Sequence, residues 1–118
     1  DLLSIMMAVS QQMLSSVEVK FSSEASCCVV LASAGYPGPY ETGKRITLGE
    51  FEEGVLCLHA GTKFEGTSLV TNGGRVADLV ATAESLSQAI EKAYRAVGSV
   101  SFDGMQYRKD IGKVALEA

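Results

Sequence analysis

"SLVTNGGRVADL", residues 68–79, sets Asn72, Gly73, Gly74 and Arg75 between two stretches in which apolar and polar side chains alternate. Alternation marks half-buried strands, and Asn-Gly between two such runs is a strong hairpin signal, with both central residues at positive φ. The stretch predicts a hairpin joining "TSLVTN" to "RVADLVATA". That turn accounts for Asn72 and Gly73 and leaves Gly74 and Arg75 over. Consecutive N–H groups at a glycine turn form an anion-binding nest, and an adjacent arginine offers a bidentate grip on phosphate oxygens. A plain turn and an anion site are therefore both open readings of the tip.

Upstream, "CCVVLAS" (27–33) is a short, continuous apolar run that predicts a strand buried on both faces. "GYPGPYETGK" (35–44) carries too many glycines and prolines for a helix and reads as a loop of fixed shape, a binding loop or a structural connection. "KRITLG" and "GVLCLHAG" predict strands on either side of the acidic turn "EFEEG". Val17, Val19 and Phe21 alternate with Glu18 and Lys20 and predict a further half-buried strand. Two segments have helical spacing instead. Residues 1–14 place Leu2, Leu3, Ile5, Met6, Val9, Met13 and Leu14 on a helix with nothing of its own to pack on.

Downstream of the hairpin, Leu86, Ala89, Ile90, Ala93, Tyr94 and Val97 recur as one face of an amphipathic helix. Ser85 with Gln88 supplies an S-x-x-Q capping box, and Gly98 is placed to end it. "SVSF" and "MQYRKDIG" then predict a short strand pair or an edge segment. Strands joined by hairpins, with one late helix, indicate an α+β fold with a mostly antiparallel small sheet or barrel.

Composition bounds the function. The 118 residues suit one domain, and 47% hydrophobic against 20% charged residues lies far from a disordered composition. A net charge of −4 gives no global field for nucleic acid or an anionic membrane, so anion binding needs a local cationic pocket. "LLSIMMAV" follows Asp1 without a basic flank and is too short to span a bilayer, and no targeting segment is read. Cys27, Cys28 and Cys57 are an odd set without a C-x-x-C pair and read as reduced, buried thiols of a cytosolic protein. Cys57 and His59 share a strand face, but one histidine and three cysteines barely make four ligands, and Cys27 and Cys28 point oppositely; no metal site is expected.

Other candidates have bland alternatives. Lys63 in "HAGTKFEG" is a surface charge or a point charge for a phosphate. His59 reads as a half-buried, hydrogen-bonded residue rather than a catalyst. Arg108, Lys109 and Asp110 in "YRKDIG" form an exposed ion-pair face. No Walker loop, G-x-G-x-x-G or glycosidase-like carboxylate pair is present.

Taken in order, "VVLASAGYPGPYETGK", "HAGTK", "LVTNGGRV" and "YRKDIG" closely resemble the C-terminal domain of the phosphoribosylamine–glycine ligase (glycinamide ribonucleotide synthetase) family, over roughly residues 1–116. These are ATP-grasp ligases of de novo purine biosynthesis. The resemblance implies a parent that activates glycine with ATP as an acyl phosphate, which the amine of 5-phosphoribosylamine attacks to give glycinamide ribonucleotide on the route to IMP. It implies ATP and Mg2+ (or Mn2+) for that parent, held by upstream domains, with neither bound by this segment alone and no catalytic residue within it. By motif position, Lys63 and Arg75 would hold the substrate phosphate, with Thr62, Asn72, Gly73 and Gly74 beside them. The family's R-F-G-D-P-E signature falls just before the segment matching "DLL", so no ligase activity is expected of this chain by itself.

The same resemblance implies that residues 1–14 are the last helix of the ATP-grasp core and residues 15–118 the C-terminal domain, with a rudimentary likeness to sandwich-hybrid carrier folds. Its partners would be the upstream ATP-grasp domain and the phosphoribosylamine substrate, with no nucleic acid and no membrane, in a cytoplasmic enzyme that is fused to other purine enzymes in many eukaryotes. Two positions depart from the pattern: Ala34 replaces a glycine, and Asp78 stands where a small residue is usual. Asp78 is three residues from Arg75, and strand parity predicts that the two face opposite ways. A lysine-modified carrier and a purely structural module are the competing readings.

Overall fold

The computed structural model describes residues 1–117. In chain order its elements are helix α1 (Leu2–Ser10), a 3-10 turn (Leu14–Ser16), strands β1 (Ala25–Ala32), β2 (Thr47–Leu48), β3 (Val55–His59), β4 (Thr62–Glu65), β5 (Ser68–Thr71) and β6 (Arg75–Ala83), helix α2 (Leu86–Val97), strand β7 (Val100–Ser101) and the short helix α3 (Lys113–Leu116). Ala118, the end of the expected 15–118 span, lies outside the described residues.

Every pair of strands is antiparallel. The central sheet has the order β1-β6-β3, while β4 pairs with β5 and β2 with β7 as separate ribbons. This is the α+β arrangement that the patterning predicts. Along β1, Cys27, Val29 and Leu31 are buried and Cys28 and Val30 are exposed, because successive side chains point to opposite faces. Leu79 and Ala81 of β6 continue the buried face, and α2 covers it with Ala89, Ala93, Ala96 and Val97. Small alanines let the helix lie close to the sheet, so Val29, Leu31 and Leu79 are fully enclosed. The expectation that residues 27–33 are buried on both faces is corrected. Cys28, Val30, Leu56 and Leu58 are exposed on the face turned away from α2, and of the three thiols only Cys27 is buried.

Helix α2 starts on its capping box: the Gln88 N–H donates to Ser85 Oγ at 3.3 Å, and the Ser85 N–H donates to Gln88 Oε1 at 3.2 Å. Gly98 caps its end. The Tyr94 hydroxyl donates to the Arg108 carbonyl at 2.7 Å and accepts the Ile111 N–H at 3.0 Å, tying the C-terminal segment to α2. That segment joins the sheet as an edge, since Gln106 exchanges two backbone hydrogen bonds with Ala32, at 2.8 and 2.9 Å.

Several strands differ from expectation. Residues 17–21 form no strand, and Phe21 is 90% exposed; among the described residues no neighbouring strand takes up their backbone groups, and a lone extended segment is not stable in water. Of "KRITLG" only Thr47 and Leu48 pair, with Ser101 and Val100, while Arg45 makes a single bridge to Val70. The tight hairpin of this region joins β4 to β5 through Gly66 and Thr67, with Gly66 at φ 61°. In α1, Leu2, Leu3, Met6, Met7 and Val9 are exposed. The helix projects from the rest, and the radius of gyration of 17.1 Å exceeds the roughly 13.5 Å of a compact chain of this length. Among the described residues no helix is long and apolar enough to cross a membrane.

Candidate functional site

The segment 72–74 is not the tip of a hairpin. β5 and β6 lie in different sheets, and neither Asn72, Gly73 nor Gly74 has a positive φ. Long-range backbone bonds decide its path instead. The Asn72 N–H donates to the Gly61 carbonyl at 2.7 Å, and the Gly61 N–H donates to the Arg75 carbonyl at 2.9 Å. From the other side, the Ser33 N–H donates to the Gly74 carbonyl and the Ser33 hydroxyl to the Gly73 carbonyl, both at 2.8 Å. The chain is thus threaded between residue 61 and residue 33.

Close approach explains why these positions are glycine. A Cβ on Gly61 would lie 2.7 Å from Gly73 Cα, and one on Gly74 would overlap the Tyr36 ring and press on Tyr40. The N–H groups of Gly73 and Gly74 donate to no carbonyl among the described residues. The glycines therefore serve contact with Gly61 and the two tyrosines rather than left-handed turn geometry.

Immediately after them, β6 contains a bulge. Leu31 pairs with Ala77, but the next residue of β1, Ala32, pairs with Arg75, so Val76 is an extra residue in β6. In a strand that ran regularly through Val76, Arg75 would share the parity of Ala77, Leu79 and Ala81 and point toward α2. The bulge turns it to the opposite face. Parity along the regular strand had predicted that Arg75 and Asp78 face apart; the bulge reverses that expectation, and both line one cavity of about 540 Å³ with Tyr36, Tyr40, Ala60, Gly61 and Gly74.

The cavity is walled by the 33–40 loop. Tyr36 and Tyr40 lie with ring centroids 6.3 Å apart, and Gln106 Nε2 donates to the Tyr36 carbonyl at 2.9 Å, fixing the loop against the C-terminal segment. Arg75 and Tyr36 also line a second, more apolar cavity of about 490 Å³ with Val30, Ala32, Pro37, Gln106, Tyr107 and Arg108. Arg108 is held by Asp110 at 2.6 Å, the exposed ion pair expected from "YRKDIG". Arg75 and Asp78 have no ion pair or side-chain hydrogen bond among the described residues. Burial and then the Asp78 charge push the Cys28 and Cys57 thiols up from their ordinary values.

The structure brings Gly74 and Arg75 together at the cavity, with Asn72 and Gly73 leading into it through their backbone. Lys63 stands apart from this group. It lies on β4, pairs with Glu65 at 2.8 Å and is not among the residues lining the cavity. Thr62, next to Gly61, shares a hydrogen bond with His59 Nδ1 at 3.1 Å. Sequence reasoning missed Tyr36, Tyr40 and Gly61 as wall residues; the "GYPGPY" loop was the signal for the two tyrosines. Among the described residues no three His, Cys, Asp or Glu side chains are grouped to hold a metal.

Residues 26–114 match the family model described as "Phosphoribosylglycinamide synthetase, C domain". The chain is 45% identical to a phosphoribosylamine–glycine ligase of Chlorobaculum tepidum, a match covering 98% of this chain and 28% of that protein. It is 41% identical to a trifunctional purine biosynthetic protein of Gallus gallus, across 98% of this chain and 12% of that one. A crystal structure of phosphoribosylamine–glycine ligase from Thermotoga maritima superposes with a TM-score of 0.64 at 44% identity, covering 70% of this chain and 20% of that chain. The chain thus spans less than a third of the length of each of these relatives. With the match extending over most of its residues, the chain belongs to the phosphoribosylglycinamide synthetase C-domain family.

Proposed function

We propose that this chain is the substrate-positioning C-terminal part of a phosphoribosylamine–glycine ligase acting in purine biosynthesis, and that its cavity holds the phosphate of 5-phosphoribosylamine. The observation that carries the reading is Arg75, an arginine without a partner among the described residues, which a bulge presents at a cavity floored by glycine backbone. A guanidinium there meets phosphate oxygens in a bidentate fork, and the N–H groups of Gly73 and Gly74, which have no acceptor among the described residues, supply further donors. Asn72 sets the path of that backbone. Thr62 and Lys63 come from the adjacent ribbon, Lys63 by leaving Glu65.

ATP with Mg2+ or Mn2+ supplies acyl-phosphate activation of glycine in the parent, on its upstream ATP-grasp domain. The residues here orient the sugar phosphate and neutralise its charge, which accelerates reaction by positioning rather than by proton transfer. On the same reading α1 is the last helix of the upstream core, consistent with its exposed apolar residues. The separate segment binds sugar phosphate without ligating it, and its fold is a reduced relative of the sandwich-hybrid carriers, in a cytoplasmic enzyme.

Ribose 5-phosphate titrated into 15N-labelled chain tests this. Amide shifts are expected at Gly73, Gly74 and Arg75, and their loss in Arg75→Ala. In a full-length ligase carrying this domain, Arg75→Ala should raise KM for phosphoribosylamine by about tenfold or more. Shifts confined to other surfaces, or an unchanged KM, would count against it.

A further inference from the structure

We infer that Asp78 is a specificity-determining residue of this cavity, accepting the hydroxyl groups of a phosphorylated sugar whose phosphate rests on Arg75. The inference rests on the reading of Arg75 as the phosphate anchor and adds a second contact of opposite charge.

Three observations carry it. The extra residue Val76 puts Arg75 and Asp78 on the same face of β6, where regular pairing would separate them. Both side chains line the same cavity, yet they form no ion pair with each other or with any other described residue. Asp78 is half-buried, and its cross-strand neighbours are Val30 and Leu58, which offer it no donor. A carboxylate and a guanidinium left unpartnered across one cavity suit a ligand that is anionic at one end and a hydrogen-bond donor at the other.

The chemistry narrows that ligand. An ionised carboxylate is acceptor-only, so it meets O–H groups well and repels phosphate oxygens. A vicinal diol can donate two O–H groups to its two oxygens, giving charge-assisted bonds. Inorganic phosphate gains from Arg75 and loses to Asp78, whereas a sugar phosphate gains from both. Asp78 acts as a filter that favours hydroxylated phosphate esters over the bare anion. A cavity of about 540 Å³ has room for a pentose phosphate.

The test measures binding of ribose 5-phosphate, inorganic phosphate and glycine to the wild-type chain, Asp78→Asn and Arg75→Ala, by calorimetry and amide shifts. Asp78→Asn keeps the shape of the side chain, and its thermal melt establishes that the fold is intact. The expected result is that Asp78→Asn weakens ribose 5-phosphate about tenfold or more while inorganic phosphate binds as well or better. Arg75→Ala should lose both. If Asp78→Asn changes both anions by the same factor, Asp78 sets only the local field and this inference fails while the Arg75 reading stands. Glycine binding that depends on Asp78 and is stronger than sugar-phosphate binding would overturn it in favour of a zwitterion site. If Arg75→Ala leaves ribose 5-phosphate binding intact, or the wild type takes none at millimolar concentration, the underlying reading fails and this one with it.

Discussion

The Ser33 hydroxyl donates to the Gly73 carbonyl at 2.8 Å, joining the start of the tyrosine loop to the segment that delivers Arg75. Ser33 is only 4% exposed, and its own N–H holds the Gly74 carbonyl at the same distance. Ser33→Ala removes one of these bonds and leaves a carbonyl short of its donor. A loss of about 1–3 kcal/mol is expected, read from the midpoint of urea denaturation. A loss near zero would mean that the neighbouring backbone bond suffices.

Gly74 and Gly66 predict opposite responses to a side chain. Gly74→Ala drives a methyl into the Tyr36 ring and should cost about 1–3 kcal/mol, with shifted Tyr36 and Tyr40 resonances. Gly66 sits at φ 61° with open space around it. Gly66→Asn, which accepts that conformation, should leave the melting temperature nearly unchanged, while Gly66→Val should lower it because a β-branched residue resists positive φ.

At the start of α2, Ser85→Ala deletes the acceptor for the Gln88 N–H. A loss of about 0.5–2 kcal/mol is expected, with Ser85→Asp restoring most of it. Thermal circular dichroism of the three chains checks this.

The thiols give a pH-dependent test. Burial raises Cys27, with its neighbour Cys28 adding to the effect, and Cys28 is raised by burial and then by the Asp78 charge. Only the thiolate is nucleophilic, so alkylation near neutrality should be slow and should reach exposed Cys28 before buried Cys27. Asp78→Asn should speed modification of Cys28, as peptide mass mapping will report. The folded-state values are raised, so the stability these thiols contribute is complete below the free-thiol value of about 8.5 and is lost as pH rises through the folded values. The denaturation midpoint should therefore fall on the alkaline side.

The parts of this fold that local sequence encodes were legible in it. Helix α2 announces itself through the spacing of Leu86 to Val97 and the Ser85–Gln88 box, and the whole element follows. β1 and β3 were visible as apolar runs, but which faces they bury depends on what lies across from them. α2 covers one side, and Leu56 and Leu58 remain exposed on the other. Asn72-Gly73 carried a local hairpin signal that Ser33 and Gly61 override from 40 and 11 residues away. The 62–65 strand was missed because its four residues are too few to establish a period. For the site, Arg75 was identified from its leftover position beside Gly74. Its relation to Asp78 was misread because nothing in "RVADL" marks Val76 as the spare residue.

That spare residue makes the location of the positive charge a matter of counting. Deleting Val76 would set Arg75 beside Ala77, where plain alternation already holds it opposite Ala32 on the face of Asp78, whereas straightening the strand with all its residues kept would carry the guanidinium around to the helix-covered side, among alanine and leucine side chains with nothing to receive it. In this strand loss of one codon is therefore a milder lesion than loss of the bulge, and the cavity's cation is expected to survive the deletion although the written motif does not.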